Sequence, residues 1–352
     1  MRFIGNKERL INNIYQVIKS KKILAKSVFD LFTGTTNVGK FFKRLDYQVF
    51  SSDLLYFSYV LQRAYIQNNN DCKFERLFKD IDSQTTSLFD TPLNLVIQFL
   101  NNLEPKEGFI YQNYTPNGTA NLEIPRMYFN SENGKKIDSI RQQIETWKIN
   151  NVITENEYFI LLASLIETVP FYANISGVYA AFQKQWDPRA IKSLQLKPIE
   201  IIINNKVNYG YNENSVNLLD DIEADIFYLD PPYNQRQYAP NYHILETIAK
   251  YDNPEIKGIS GLRNYQNQKS LFCNSETALT ELYKIADRGK YSTLILSYNT
   301  EGIMPQQKIV SVLELFGKVE LVEIDYLRFK SNSNGKSKYK KYIKEQLYIL
   351  QK

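Results

Sequence analysis

Lys26-Ser27-Val28-Phe29-Asp30-Leu31-Phe32-Thr33-Gly34-Thr35-Thr36-Asn37-Val38-Gly39-Lys40 carries the pattern on which the fold turns. Its first half is a short apolar run ending at Gly34, which predicts a buried strand running into a glycine turn. From 38 to 45 the apolar spacing becomes helical. A second strand is predicted over 48–52, closing on Asp53, with a helix over 54–67. Upstream, apolar residues at 10, 11, 14, 17 and 18 form a helical stripe within 4–18.

Strand, glycine turn, helix, strand and terminal carboxylate, in that order, make a Rossmann-like unit. Two ligands suit such a turn. Gly34-x4-Gly39-Lys40 matches most of a phosphate-binding P-loop, but the next residue should be Ser or Thr to hold magnesium, and it is Phe41. Asp53, 19 residues after Gly34, serves a nucleoside binder instead, because a carboxylate there accepts hydrogen bonds from ribose hydroxyls. A turn that merely requires glycine would look the same.

Outward from this unit the pattern changes. Residues 68–196 read as a mainly helical insertion. It has a helix near 93–103, a loop with Pro105 and Gly108, a polar stretch around 131–136 and a strong helix over 155–168. Sheet patterning resumes at 198–203, 225–229 and 292–297. Segments 319–329 and 339–350 alternate around Asn-Ser-Asn-Gly at 332–335, a hairpin with an Asn-Gly turn. No internal repeat is present.

At ~150 residues per domain, the 352 residues predict two domains. Apolar residues at 43% and charged residues at 23% fit a soluble globular chain. The longest strongly apolar stretch, 158–166, falls well short of the ~20 residues a membrane helix needs. The opening Met-Arg-Phe-Ile-Gly-Asn-Lys-Glu has charges where a signal peptide needs its apolar core. Two distant cysteines, Cys72 and Cys273, and a single histidine argue against a zinc site or a disulfide framework. No metal and a reducing cytoplasm are expected. The net charge of +5 permits a nucleic-acid partner without demanding one.

Asp230-Pro231-Pro232-Tyr233 directly follows the strand at 225–229. The two prolines lack N–H groups and hold the backbone extended. The Asp230 carboxylate and the Pro231 carbonyl can then accept hydrogen bonds from one exocyclic amine. Tyr233 offers a face on which a base stacks. An aromatic amine is a poor nucleophile because its lone pair is delocalised into the ring. Two acceptors on its hydrogens push the nitrogen toward tetrahedral geometry and free the lone pair for attack on an electrophilic methyl. The bland alternative is a Pro-Pro loop that ends a strand.

Together with the glycine turn, this tetrapeptide resembles the amino-methyltransferases of nucleic acid, which use S-adenosylmethionine. The order glycine turn, insert, Asp-Pro-Pro-Tyr resembles the alpha group of DNA adenine methyltransferases, the Dam-like enzymes of restriction–modification systems. Phe3-Ile4-Gly5-Asn6-Lys7 resembles their N-terminal cofactor motif. Asp230-Pro231-Pro232-Tyr233-Asn234-Gln235-Arg236-Gln237-Tyr238 with Tyr242-His243-Ile244-Leu245-Glu246, and Leu296-Ser297-Tyr298-Asn299 with Glu301-Gly302, are similar to further segments of one subgroup. The resemblance implies an α/β, Rossmann-like methyltransferase domain with a mixed sheet, made from 1–70 and 198–352. A target-recognition domain would occupy 71–197. It implies that Asp30, Phe32 and Gly34 shape the cofactor loop, that Asp53 binds the ribose, and that Phe3 and Lys7 hold the methionine end. Asp230, bordering the cofactor, would engage the target amine with Pro231 in the rigid loop completed by Pro232, and Tyr233 would stack on the flipped base. For the cofactor adenine, Asn214 and Asp220 both remain open.

A target amine inside a duplex is unreachable, so the base must rotate out at a cost of a few kcal/mol. Between Arg328 and Lys344 there are seven Lys or Arg and no acid. Lys330, Lys336, Lys338, Lys340 and Lys341 from this stretch, with Arg236, are the candidate DNA contacts. A solvated basic hairpin is the alternative. Lys184, Gln185, Trp186 and Arg189 suit either recognition or a helix end. His243 reads as structural and the cysteines as packing residues. The expected activity is methylation of adenine in a short duplex sequence, by base flipping and direct transfer. The expected partners are double-stranded DNA and a restriction endonuclease acting on the same site, with the protein a monomer at the nucleoid. Rival readings are the same chemistry on DNA cytosine or RNA adenine, a catalytically dead nucleic-acid-binding module, and a P-loop NTPase.

Overall fold

In the computed structural model, which describes residues 5–80, 91–327 and 342–352, nine strands form in chain order. They are β1 (Ser27–Asp30), β2 (Gln48–Ser52), β3 (Tyr209–Tyr211), β4 (Ile226–Leu229), β5 (Ile256–Lys257), β6 (Leu262–Arg263), β7 (Thr293–Asn299), β8 (Lys318–Leu327) and β9 (Tyr342–Gln351). Seven of them make one sheet in the order β3-β2-β1-β4-β7-β9-β8. The first five in that order are parallel; β9 runs antiparallel to β7, and β8 antiparallel to β9. The architecture is α/β with a mostly parallel mixed sheet. Strands β4 and β7 are buried at every position. That is why they read as near-continuous apolar runs rather than alternating ones.

The chain packs as two units. One takes residues up to 62, 202–239 and from 266 onward, and holds the whole seven-stranded sheet. Along its strands the i, i+2 pairs Phe29/Leu31, Phe227/Leu229 and Leu294/Leu296 share one core cluster. Helix Ala278–Arg288 adds Leu282, Ile285 and Ala286, and helix Gln306–Leu313 adds Ile309 and Leu313. Helix Ile11–Ser20 buries Ile11, Ile14 and Ile18, the stripe read from the sequence. Helix Asn37–Arg44 buries Val38 and Phe42.

The other unit takes 63–201 and 240–265 and is mainly helical, apart from the β5–β6 pair. Helix Glu155–Thr168 begins with a capping box: Glu157 N–H donates to Thr154 Oγ1 at 3.3 Å, and Thr154 N–H to Glu157 Oε2 at 2.7 Å. Residues 240–265, expected with the catalytic portion, pack here instead, so the partition differs from boundaries at 70 and 198.

Two local expectations are corrected. Segment 198–203 is not a strand. Its buried residues are Ile199 and Ile202, three apart, which a two-residue pleat cannot place on one face. The sheet edge is formed by β3, where Gly210 pairs with Ser51; a Cβ there would come within 2.8 Å of Gln62 Cβ. The polar stretch 131–136 opens a 19-residue helix, Ser131–Ile149, capped by the Asn130 side chain accepting from Asn133 N–H. Its buried face carries an apolar stripe, Ile137, Ile140, Ile144 and Trp147, which the sequence reading missed because Asn133, Asp138 and Arg141 share that face.

Candidate active site

The site grows from the carboxyl ends of the parallel strands, at the point where strand order reverses between β1 and β4, the usual crevice of open α/β sheets. Beyond β1 the chain turns through Gly34 at φ 52° and Thr36 at φ 62° before entering the helix Asn37–Arg44. Asp53, just past β2, braces this turn. Gly34 N–H donates to Asp53 Oδ2 at 2.8 Å and Leu55 N–H to Oδ1 at 2.9 Å. Thr33 N–H donates to the Ser52 carbonyl at 3.2 Å. Asn37 Nδ2 reaches back to Asn6 Oδ1 at 2.6 Å, tying the N-terminal segment to the turn.

These elements surround a cleft with a cavity volume of about 110 Å³, lined among others by Lys7, Asp30, Phe32, Asp53, Asn214 and Asp230. Gln237 and Ser270 close one wall with a reciprocal pair: Gln237 Nε2 to Ser270 O at 3.0 Å, and Ser270 N–H to Gln237 Oε1 at 2.8 Å. Phe32 is held edge-on against Phe272, with ring centroids 5.1 Å apart.

Three carboxylates sharing one cleft repel one another. Asp30 is 1% exposed, and only the Phe32 and Gly39 N–H groups act on its carboxylate, with no hydrogen bond of full geometry to either oxygen. Burial first, then the charges of Asp230 and Asp53, push its carboxyl up to about 8. A buried acceptor left short of donors costs about 1–3 kcal/mol, and its place in a cleft points to a ligand that supplies donors or positive charge.

Asp230 stands at the end of β4. Burial raises its carboxyl to about 6; Lys7 opposes that shift and Glu345 reinforces it. Lys7 Nζ lies 3.0 Å from Asp230 Oδ1 and 2.8 Å from Glu345 Oε1. Burial alone would lower the Lys7 pKa, but these two carboxylates raise it well above the ordinary lysine value. Ser297 Oγ donates to the same Glu345 oxygen at 2.6 Å. Pro231 and Pro232 are buried, and the Tyr233 carbonyl accepts from Ile303 N–H at 3.0 Å, anchoring the loop.

Lys7, Asp30, Phe32, Gly34, Asp53, Asp230 and Pro232 thus line one cleft, and Pro231 and Tyr233 continue its loop. Of the two open candidates, Asn214 lines the cleft, whereas Asp220 is exposed and pairs with Arg288. Lys40, the would-be P-loop lysine, does not line it. Arg236 is exposed on the sheet unit, its N–H bound to Asn234 Oδ1. Phe3, Lys330, Lys336, Lys338, Lys340 and Lys341 lie outside the described residues. Lys344 pairs with Glu323 at 2.6 Å.

In the helical unit, His243 is buried with Nε2 3.0 Å from the Tyr179 carbonyl, and burial lowers it to about 4. It is neutral and structural. Arg189 is paired with Asp187, and Trp186 borders a separate shallow groove with Asn117 and Asn130. Burial pushes the Cys72 and Cys273 thiols up to about 12 and about 11, far from nucleophilic. Glu345 and Ser297 were missed by the sequence reading. One signal was available: Glu345 is the sole acid after Asp325.

Among the described residues, no helix is long and apolar enough to cross a membrane. Residues 3–299 match the family model of D12 class N6 adenine-specific DNA methyltransferases. The type II methyltransferase M.FokI of Planomicrobium okeanokoites is 39% identical, covering 100% of this chain and 53% of that protein. Modification methylase StsI of Streptococcus sanguinis is 38% identical, covering 100% of this chain and 52% of that protein. The type II methyltransferase M.NlaIII of Neisseria lactamica is 38% identical, covering 100% and 99%. The chain therefore spans about half the length of the first two relatives and nearly all of the third.

Proposed function

The chain belongs to the D12 class of N6 adenine-specific DNA methyltransferases, and we propose that it methylates the exocyclic amine of adenine in a short duplex DNA sequence. The observation that carries this reading is the position of Asp230. It borders the same cleft as the glycine turn and Asp53, so an amine and a nucleoside-bearing methyl donor would meet there.

The residues fit S-adenosylmethionine. Its ammonium, sulfonium and hydroxyl groups supply donors and positive charge to a cleft lined by Asp30, Asp53 and Asp230. When bound, this cofactor supplies an electrophilic methyl group. In this Rossmann-like reading, Phe32 and Gly34 shape its loop, Asp53 takes the ribose, Phe3 and Lys7 flank its methionine end, and Asn214 faces its adenine. Asp230 and the Pro231 carbonyl accept the two hydrogens of the target amine, while Pro232 keeps that loop rigid. Tyr233 stacks on the flipped base, whose extrusion costs a few kcal/mol. The amine's surplus proton leaves to solvent, so no covalent enzyme intermediate arises. Positioning and charge complementarity supply most of the acceleration.

The helical unit reads bases, and Arg236 with Lys330, Lys336, Lys338, Lys340 and Lys341 grips phosphate. The partners are double-stranded DNA and a restriction endonuclease acting on the same site, in the cytoplasm, with the protein acting as a monomer. Single-molecule sequencing of DNA from cells expressing the chain tests this reading. Modified adenine confined to one short motif is expected. Unmodified adenine in that DNA, alongside methylated RNA or methylated cytosine, would overturn it.

A further inference from the structure

One cation and two carboxylates are buried together beside the presumed target amine. Lys7 Nζ contacts Asp230 at 3.0 Å and Glu345 at 2.8 Å, and Glu345, 3% exposed, is held by Ser297 Oγ at 2.6 Å. Glu345 reaches the cluster from β9, opposite Asn299 of β7, on the side of the sheet unit farthest along the chain from Lys7. A lysine paired to Asp230 alone would neutralise it. A second carboxylate on the same ammonium leaves the cluster one negative charge. Methylation leaves positive charge on the amine nitrogen until its proton departs to solvent, and a net negative cluster stabilises that charge in a dry site.

We propose that Glu345 is a positioning residue for methyl transfer: anchored by Ser297, it shares the Lys7 ammonium with Asp230 and keeps the Asp230 cluster net negative. The inference rests on the reading of Asp230 as the acceptor of the target amine. The charged and titratable groups around Asp230 are Lys7, Glu345 and Tyr228, with Asp30 across the cleft. Of these, Glu345 is the carboxylate that raises Asp230 while touching neither proposed ligand.

The test is Glu345→Gln, which keeps size and removes charge. Three measurements are made: single-turnover methylation of duplex DNA against pH, S-adenosylmethionine affinity by calorimetry, and ¹³C-carboxyl NMR titration of Asp230 in the ligand-free protein. The plateau rate is expected to fall about 10²-fold, with cofactor affinity within about twofold of wild type. The acid limb, set near pH 6 by Asp230, is expected to move to lower pH, because the carboxylate that disfavours Asp230 ionisation is gone. The NMR midpoint should move the same way. Ser297→Ala, a smaller change, should produce the same shift in weaker form. A rate loss with both midpoints unmoved in both variants would mean a merely structural role and overturn the proposal, as would wild-type rates. If wild-type protein methylates nothing, the functional reading fails on its own. An unmoved NMR midpoint would then overturn the charge-sharing, and a lowered one would support it.

Discussion

The two units treat buried charge in opposite ways. In the helical unit, buried ionic groups are used up by structure. Arg141 donates to the carbonyls of Ile248 and Ala249, to Tyr158 and to Glu145. Arg126 donates to the carbonyls of Asn113, Gly258 and Ile259. Asp138 accepts from the N–H groups of Ile110 and Tyr111 and from Tyr251 Oη. The partnerless atoms there are neutral, His243 Nδ1 and Tyr179 Oη, or belong to guanidiniums paired through their other nitrogens, Arg63 and Arg263. In the sheet unit, Asp30, Asp53 and Asp230 crowd one cleft, and Asp30 draws only on the Phe32 and Gly39 N–H groups. Burial alone therefore does not distinguish architecture from chemistry. The distinguishing feature is the crowding of like charges: three carboxylates share the cleft of the sheet unit, whereas Arg141, Arg126 and Asp138 are each answered separately.

Substitutions at four positions would break or sharpen this contrast. Asp230→Ala should reduce methyl transfer at least ~10³-fold while the protein still folds; retained activity would remove Asp230 from the chemistry. Asp138→Ala should do the reverse. Stranding three buried donors should cost about 3 kcal/mol of stability in urea denaturation, and a loss under about 1 kcal/mol would show that water replaces the carboxylate.

Asp30→Asn should stabilise the ligand-free protein. The Asp30 carboxyl titrates at 3.8 in the unfolded chain and at about 8 in the fold. Its ionisation is therefore favoured in the unfolded state, and the native state loses stability progressively from about pH 4 to pH 8. Asn removes that loss, a gain of roughly 5 kcal/mol at pH 8 and little near pH 4. A gain independent of pH would contradict the assignment, and the same variant should bind S-adenosylmethionine more weakly. The smallest effect is expected for Asp53→Ala, about tenfold in cofactor affinity by calorimetry. Asp53→Asn should fall between, because one oxygen still accepts from Gly34 or Leu55. Unchanged affinity in both would place the ribose elsewhere.

Much of the sheet unit was legible because its strands are buried on both faces. The apolar run before Gly34 and the run before Asp230 emerged as β1 and β4 with ends within two residues of the reading, and β2 matched at both ends. The glycine turn and the Asp-Pro-Pro-Tyr loop lie at strand ends, where backbone requirements act locally and so leave a local trace. The helix Ser131–Ile149 left one too, Ile137, Ile140, Ile144 and Trp147 at helical spacing, but the buried Asn133, Asp138 and Arg141 mask it, and its polar partners come from 104–111, 158 and 248–251. Residues 240–265 follow the catalytic loop directly in sequence yet pack with the helical unit, which no local pattern announces.

Sequence alone settled the α/β order, the glycine turn, Asp53 and the Asp-Pro-Pro-Tyr loop. Each depends on properties of a few consecutive residues: apolar periodicity, positive φ at glycine, and prolines without N–H groups. Only the tertiary structure placed Asn214, and not Asp220, in the lining of the cleft, crowded Asp30 with Asp53 and Asp230, and brought Glu345 onto Lys7 across 338 positions of chain. Those outcomes are matters of charge and desolvation between groups far apart in sequence, and such energies depend on distance in space, which no spacing along the chain encodes.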